Sequence, residues 1–472
     1  MTMMAIAEAA RALDAGIRGN DVAFDAVNTD SRAIRRGDLF VALKGERFDG
    51  HRFVSQAAAA GAAAAMVEDS GSGIQDSDIK LPLIIVKDTR LALGRLASCW
   101  RNKFTMPLVA LTGSSGKTTV KEMLALILRE AVGAGSRIPD SGSCVLATRG
   151  NLNNDIGVPL MLLELRPEHR YAVIEMGMNH AGEIRYLAQI AAPDVALINN
   201  AGRAHIEYLG SEEAIARAKG EIFEGLTNEG VAVINADDRF AGLWRELAAD
   251  KRQLEFGIKS RAAVTATCRL RYLESEIIVK TPQGEAAATL RAGGLHNVRN
   301  ALAASAAAVA LNVAPHVISK GLAAYAGVKG RLQKKACVHD ATLIDDTYNA
   351  NPESVQAAIA VLAQAPGRKL LVLGDMGELG AGAPALHAES GLLARKAGID
   401  QLFTLGELSA HATQAFGAGA RHFSRIEDLL AEIENALSPG ATMLVKGSRF
   451  MRMERVVKSF EIVPGAAAAG QG

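Results

Sequence analysis

Residues Thr112-Gly113-Ser114-Ser115-Gly116-Lys117-Thr118-Thr119 constrain this chain more than any other stretch. A short apolar run, Pro107-Leu108-Val109-Ala110-Leu111, precedes them. An amphipathic segment, Val120-Lys121-Glu122-Met123-Leu124-Ala125-Leu126-Ile127-Leu128, follows. The order is strand, small-residue loop, helix. In such a loop, small residues let successive backbone N–H groups turn inward around an anion. The helix N-terminus adds its partial positive charge. Gly113, Ser114, Ser115, Gly116 and Thr119 would form the cradle, Lys117 would reach the terminal phosphates, and the Thr118 hydroxyl would ligate Mg²⁺. The string predicts nucleoside triphosphate binding. It departs from the usual G-x-x-x-x-G-K-[ST] pattern at one place, since the first glycine falls on Leu111. An ordinary strand-to-helix turn is the competing reading.

The chain has 472 residues, too many for one ordinary core, and two to four domains are expected. From Pro107 onward, strands and helices alternate. Tyr171-Ala172-Val173-Ile174-Glu175, Asp194-Val195-Ala196-Leu197-Ile198-Asn199 and Val231-Ala232-Val233-Ile234-Asn235 read as strands, with helices predicted near residues 181–192, 211–226 and 297–311. This predicts a doubly wound, mostly parallel sheet with its ligand site at the carboxyl ends of the strands. The last third repeats the alternation without a second phosphate loop and reads as a Rossmann-like domain. The first hundred residues mix short strands, such as Asp38-Leu39-Phe40-Val41-Ala42-Leu43 and Pro82-Leu83-Ile84-Ile85-Val86, with a helix over residues 90–102. A polar loop is expected over residues 44–51. The predicted fold is α/β in three domains: a small N-terminal domain (1–105), the central phosphate-loop domain (106–327) and the C-terminal domain (328–462). A flexible tail (463–472) and a mobile loop (131–148) complete the division.

Composition excludes several classes. Lys+Arg 52 against Asp+Glu 51 leaves a net charge of +1, so no whole-chain attraction to nucleic acid or anionic membrane follows. Cys99, Cys144, Cys268 and Cys337 lack zinc-site spacing and suit a reducing, cytoplasmic setting. No signal peptide is read at the N-terminus, and the Ala-rich run 57–67 is too short to span a bilayer. It reads as a buried helix running into a strand.

Further candidate residues fall where the ligand site should lie. Glu175 ends its strand and could ligate Mg²⁺ as a hard oxygen donor, or cap a helix. His205 follows the next strand and could ligate a second metal, orient a phosphate, or serve only as a structural hydrogen bonder. Lys219, on a predicted helix, reads by itself as a solvated lysine. Arg331 could grip a phosphate bidentately. Asp346, in Asp345-Asp346-Thr347-Tyr348-Asn349-Ala350-Asn351-Pro352, could accept from a ribose hydroxyl; a polar interdomain loop is the alternative for both. Lys446-Gly447-Ser448-Arg449 is a further anion-contact candidate.

Together these features resemble the Mur ligases, the ATP-dependent amide-forming enzymes of peptidoglycan synthesis. Their phosphate loop also lacks the first glycine. Gly150-Asn151-Leu152-Asn153-Asn154-Asp155-Ile156-Gly157-Val158-Pro159, Ala218-Lys219-Gly220-Glu221-Ile222-Phe223, Asp346-Thr347-Tyr348-Asn349-Ala350-Asn351-Pro352 and Leu373-Gly374-Asp375-Met376-Gly377-Glu378-Leu379-Gly380 are most similar to the members that add D-alanyl-D-alanine. Leu39-Phe40-Val41-Ala42-Leu43-Lys44-Gly45 matches their N-terminal domain. The Asp-Asn-Pro-Arg motif of the sister that adds diaminopimelate or lysine does not occur.

The resemblance implies ATP, UDP-MurNAc-tripeptide and D-Ala-D-Ala as small-molecule substrates, two Mg²⁺ ions, and a monomer with neither nucleic-acid partner nor membrane insertion. It implies that Lys117 binds the β- and γ-phosphates, and that Thr118 and Glu175 ligate one Mg²⁺. His205 would help hold a second, with Lys219 carbamylated as an oxygen ligand. Asn297, Arg331 and Asp346 would contact the nucleotide, and Ser31, Arg32 and Lys44 the UDP end of the sugar-peptide. A folylpolyglutamate synthetase is the nearest rival, disfavoured by the domain ahead of the phosphate loop. A motor or signalling NTPase would not need the third domain.

Overall fold

The computed structural model describes residues 2–46, 48–69, 80–133 and 144–462. Residues 134–143 of the expected loop, Arg47 and the expected tail lie outside the described residues.

The first unit is built on a sheet ordered Gly16–Arg18, Leu83–Val86, Ala64–Glu68, Asp38–Val41, Ala26–Asn28, parallel except for its first strand. Alternate side chains of Asp38–Val41 part to two sides, as a strand's period of two requires. Leu39 and Val41 join the helices Ile6–Leu13 and Thr89–Arg101; Phe40 joins the helix Val54–Ala59. Asp88 caps Thr89–Arg101 by accepting from the Leu91 N–H. Within the expected loop 44–51, Lys44–Gly45 pairs with Phe48–Asp49 in a small hairpin.

The central unit carries six parallel strands, ordered Val145–Ala147, Tyr171–Glu175, Leu108–Thr112, Val195–Ile198, Val231–Asn235, Arg252–Phe256. Leu108–Thr112 is buried throughout, which explains its unbroken apolar run. Its two neighbours, Tyr171–Glu175 and Val195–Ile198, both follow it in the chain and lie on opposite sides of it, so the strand order reverses there and a crevice opens at the carboxyl end. The helices Lys117–Val132, Leu295–Ala310 and Pro315–Ala323 share a core on one face. Glu183–Ala191 and Glu212–Gly220 pack on the other.

Three expectations need correction. The helix expected over 211–226 stops at Gly220 and continues as a 3₁₀ turn, Glu221–Gly225. The loop expected over 131–148 is bounded by ordered structure, because the phosphate-loop helix runs to Val132 and Val145–Ala147 forms an edge strand. A three-stranded antiparallel sheet, Thr265–Leu270, Ser275–Thr281 and Gly284–Leu290, interrupts the strand–helix alternation. Its inward Ala266, Ile277, Val279, Ala286 and Leu290 join the core beneath Leu295–Ala310 and Pro315–Ala323.

The C-terminal unit has a sheet ordered Gln333–Ala336, Thr342–Asp346, Thr442–Lys446, Lys369–Gly374, Gln401–Leu405, Ala420–Phe423, parallel except for the first strand. Separate helical layers cover its two faces.

Gly321 shows how tightly the phosphate-loop helix is held. A Cβ there would run into the Ile127 backbone. Gly321→Ala should force Pro315–Ala323 away from Lys117–Val132 and destabilise the central unit by about 1–3 kcal/mol. The expected result is a lower urea midpoint by tryptophan fluorescence; an unchanged midpoint would contradict this packing.

Candidate active site

The phosphate loop is shaped by asparagines from neighbouring elements. Asn200 accepts from the Ser114 N–H through its carbonyl (3.0 Å) and from the Ser115 N–H through Oδ1 (2.9 Å). The amides of Asn199 and Asn200 both donate to the Ser115 carbonyl, at 2.9 Å each. Asn199 also donates to Asn300 Oδ1 at 3.0 Å. Gly116 has φ +81°, and a Cβ there would meet both Asn300 and Asn199. Lys117 Nζ folds back onto the Gly113 carbonyl at 2.8 Å.

Beside the loop, the Thr118 hydroxyl donates to Glu175 Oε2 at 3.0 Å. Asn153 donates to Glu175 Oε1 at 2.9 Å, and the Glu175 N–H donates to Thr148 Oγ1 at 2.8 Å. The Thr148 carbonyl in turn accepts from buried Lys121. Glu175 is thus fixed from three sides at a strand end and is itself buried. Its oxygens and Thr118 make a compact hard donor set.

Lys219 is only 2% exposed, and no carboxylate pairs with it among the described residues. Burial, with the nearby charge of Lys117, pushes its pKa well below the usual lysine value. Burial also lowers Lys117, against the opposing pull of Glu175. The fold therefore overturns the bland reading of Lys219 as a solvated helix lysine.

His205 Nδ1 comes within 2.7 Å of Glu378 Oε2 in the C-terminal unit. The alignment falls short of a proper hydrogen bond. His205 holds the Glu378 carboxyl below its usual pKa. Both residues have left-handed backbones, φ 65° and 62°, an unfavourable conformation for side chains of this kind.

The C-terminal unit closes the site from the opposite side. Arg331 Nη2 donates to Thr118 Oγ1 at 2.9 Å, and its guanidinium lies 4.2 Å from the Tyr348 ring centre. Asn351 caps the helix Pro352–Leu362 and also donates to Ser115 Oγ at 3.2 Å. Asp346 is buried, receives Lys446 Nζ at 2.6 Å on Oδ2, and accepts from the Leu332 N–H on Oδ1. Burial raises the Asp346 pKa while Lys446 opposes that rise. Lys446 is therefore engaged internally rather than standing free as an anion contact. Asn297 is buried and donates to the Gly293 carbonyl at 2.8 Å. Burial, and the cations Lys446 and Arg299, hold neighbouring His296 at a pKa of about 4.

These parts enclose a cavity of about 1470 Å³. Lys117, Glu175, His205, Asn297, Arg331 and Asp346 all line it. Ser31, Arg32 and Lys44 do not. Ser31 bonds Gln56, Arg32 forms an exposed pair with Asp30, and Lys44 lies on the exposed hairpin. Sequence reasoning assigned no role to Asn153, Asn199, Asn200 or Asn300. For Asn199 and Asn200 the available signal was their place, since asparagines directly after a sheet strand sit at the ligand edge of such folds; Asn153 lies in a loop and Asn300 in the helix Leu295–Ala310.

Residues 23–101 match the family model described as "Mur ligase family, catalytic domain", residues 111–308 "Mur ligase middle domain", and residues 330–449 "Mur ligase, glutamate ligase domain". The UDP-N-acetylmuramoyl-tripeptide–D-alanyl-D-alanine ligase of Escherichia coli K12 is 43% identical over 453 residues, covering 95% of this chain and 96% of that one. The crystal structure of MurF from Acinetobacter baumannii matches with a TM-score of 0.89 at 39% identity, over 97% of this chain and 98% of that one. MurF from Thermotoga maritima, solved in complex with ADP, matches with a TM-score of 0.78 at 28% identity, over 92% and 96%.

The Asp346–Lys446 pair gives a direct test of the site's electrostatics. Lys446→Met would leave a buried carboxylate without its cation, at a cost of about 3–5 kcal/mol. The double variant Asp346→Asn/Lys446→Met should recover part of that loss. Equal midpoints for Lys446→Met and the parent chain in chemical unfolding would contradict the pairing.

Proposed function

The chain belongs to the Mur ligase family, and from that membership we propose that its phosphate loop and C-terminal lid join D-alanyl-D-alanine to UDP-MurNAc-tripeptide using ATP. The product is UDP-MurNAc-pentapeptide, with ADP and phosphate, in peptidoglycan synthesis. One observation carries the reading. Arg331 of the C-terminal unit bonds Thr118 of the loop directly and lines one cavity with Lys117, so groups from two units meet where a phosphoryl group would transfer.

The chemistry has two steps. The tripeptide's terminal carboxylate attacks the γ-phosphorus, and the bond from that phosphorus to the bridging oxygen breaks, releasing ADP. The amine of D-Ala-D-Ala then attacks the acyl carbon, phosphate leaves, and the amine sheds a proton. In the first step, Lys117 and Arg331 stabilise the charge on the transferring group, which is mainly a matter of position and electrostatics. Gly113, Ser114, Ser115, Gly116 and Thr119 frame the phosphates. Asn297 and Asp346 hold the nucleoside end; Asp346 keeps acceptor capacity beyond its bond from Leu332. Closure excludes water from the acyl phosphate.

Thr118 and Glu175 fit one Mg²⁺ as oxygen donors, and an ion there would neutralise the crowded phosphate charge. Among the described residues, no three His, Cys, Asp or Glu side chains gather as a metal cluster. A second ion at His205 therefore needs oxygens from elsewhere. Lys219 can supply them, because a buried amine of lowered pKa is a nucleophile toward CO₂. Addition to the neutral amine forms a carbamate and releases a proton, placing an anion beside Lys117.

Ser31, Arg32 and Lys44 are our proposal for the UDP end, in keeping with their place on the N-terminal unit. We place the enzyme in the cytoplasm as a monomer, in keeping with its four free cysteines. Among the described residues, no helix is long and apolar enough to cross a membrane.

Phosphate release should require both UDP-MurNAc-tripeptide and D-Ala-D-Ala. Turnover with the sugar-peptide and a free diamino acid would overturn the substrate reading. For Lys219, removing dissolved CO₂ should lower the rate and bicarbonate should restore it. A Lys219→Ala variant with full activity would exclude the carbamate.

A further inference from the structure

Arg203 has no part in the chemistry described above, yet it joins the two units that form the site. It lies on the central unit, in the loop Asn199-Asn200-Ala201-Gly202-Arg203-Ala204-His205. Its Nε donates to Glu353 at 2.7 Å and its Nη1 to Glu389 at 2.8 Å. The two carboxylates come from different helices of the C-terminal unit, Pro352–Leu362 and Ala383–Lys396. One guanidinium thus gathers two C-terminal helices onto one loop, using the fork geometry that lysine lacks.

The same loop is wired to the phosphate loop. The Gly202 N–H donates to Ser114 Oγ at 2.9 Å, and Ser114 Oγ donates back to the Gly202 carbonyl at 3.3 Å. Asn199 and Asn200 hold Ser115. A Cβ on Gly202 would come within 3.0 Å of the Glu353 carboxyl carbon, so the lid's carboxylate rests directly against this backbone. Two residues beyond Arg203, His205 meets Glu378.

We propose that Arg203 is a positioning residue for the reaction: it fastens the C-terminal unit through Glu353 and Glu389 and thereby holds the phosphate loop and Arg331 in register. The proposal rests on the ligase reading. The fastening is ionic and partly solvated, with Arg203 24% and Glu389 45% exposed at the side chain, so salt screens it. Turnover at saturating substrate should fall as salt rises.

The test compares Arg203→Ala, Glu389→Gln and Arg203→Lys with the parent enzyme at saturating substrates across a salt series. Two modest ion pairs shift a closure equilibrium by a limited amount, so kcat in Arg203→Ala should fall roughly 5- to 10-fold at low salt. Its decline with salt should flatten. Glu389→Gln should lose less, Arg203→Lys should recover part of the loss, and Arg203→Ala/Glu389→Gln should be non-additive. A merely structural role would lower active fraction and melting temperature while leaving the salt slope of kcat intact. Small-angle scattering reads docking without turnover, and Arg203→Ala should populate a larger radius of gyration. Parent-like kcat and salt slope in both Arg203→Ala and Glu389→Gln would overturn the proposal, as would parent-like scattering. Parent enzyme inactive with both substrates, with scattering still shifted in Arg203→Ala, would overturn the ligase reading instead.

Discussion

The site is organised around a cluster of basic groups that outnumber the carboxylate fixed beside them. Lys117, Lys219 and Arg331 converge near the phosphate loop, and Glu175 is the carboxylate fixed beside it. Desolvation depresses both lysines, so their charged forms are disfavoured in the free protein. A protein retains such an imbalance only where something anionic relieves it. Polyphosphate at the loop and a carboxylate built on Lys219 would both do so, and both belong to the same reaction.

The three units are not joined alike. The N-terminal and central units share one apolar cluster, running from Met3 and Ile6 through Leu96 and Trp100 to Ile174 and Trp244. Trp100 also donates to the Leu165 carbonyl, and Arg101 to that of Ala191. The C-terminal unit meets the others mainly through polar contacts: Arg331 to Thr118, Asn351 to Ser115, Arg203 to its two glutamates, His205 to Glu378. Tyr272 and Leu273 of the antiparallel sheet add a small apolar contribution. Polar contacts of this kind re-form in water at little net cost, whereas a shared core does not. The unit bearing Arg331 is therefore the one able to move, and the strained backbones of His205 and Glu378 lie at its seam.

Local pattern made part of this legible. The phosphate loop could be read because its residues are consecutive and its flanks have distinct periods. The inner parallel strands could be read because both faces are buried and their runs are apolar, whereas the edge strands Val145–Ala147, Arg252–Phe256 and Ala420–Phe423 are short or partly exposed and gave no such signal. Lys219 could not be read from its own neighbourhood: only the fold buries it, and only resemblance gave it a role. The asparagines that hold Ser114 and Ser115 come from about 85 residues away. Arg203, Glu353 and Glu389 are ordinary surface residues in sequence, and their meeting depends on how two units dock. The antiparallel sheet carried a usable signal, alternation around Thr281-Pro282-Gln283-Gly284, but the stronger strand–helix rhythm on either side obscured it.

The central claim is that the cavity activates a carboxylate by phosphoryl transfer before making the amide. Oxygen tracing addresses this most directly. UDP-MurNAc-tripeptide carrying ¹⁸O in its terminal carboxylate is turned over with ATP and D-Ala-D-Ala, and the released phosphate is analysed by mass. The account predicts that one carboxylate oxygen leaves in phosphate for each amide formed. Phosphate free of the label, with water as the source of its new oxygen, would contradict it.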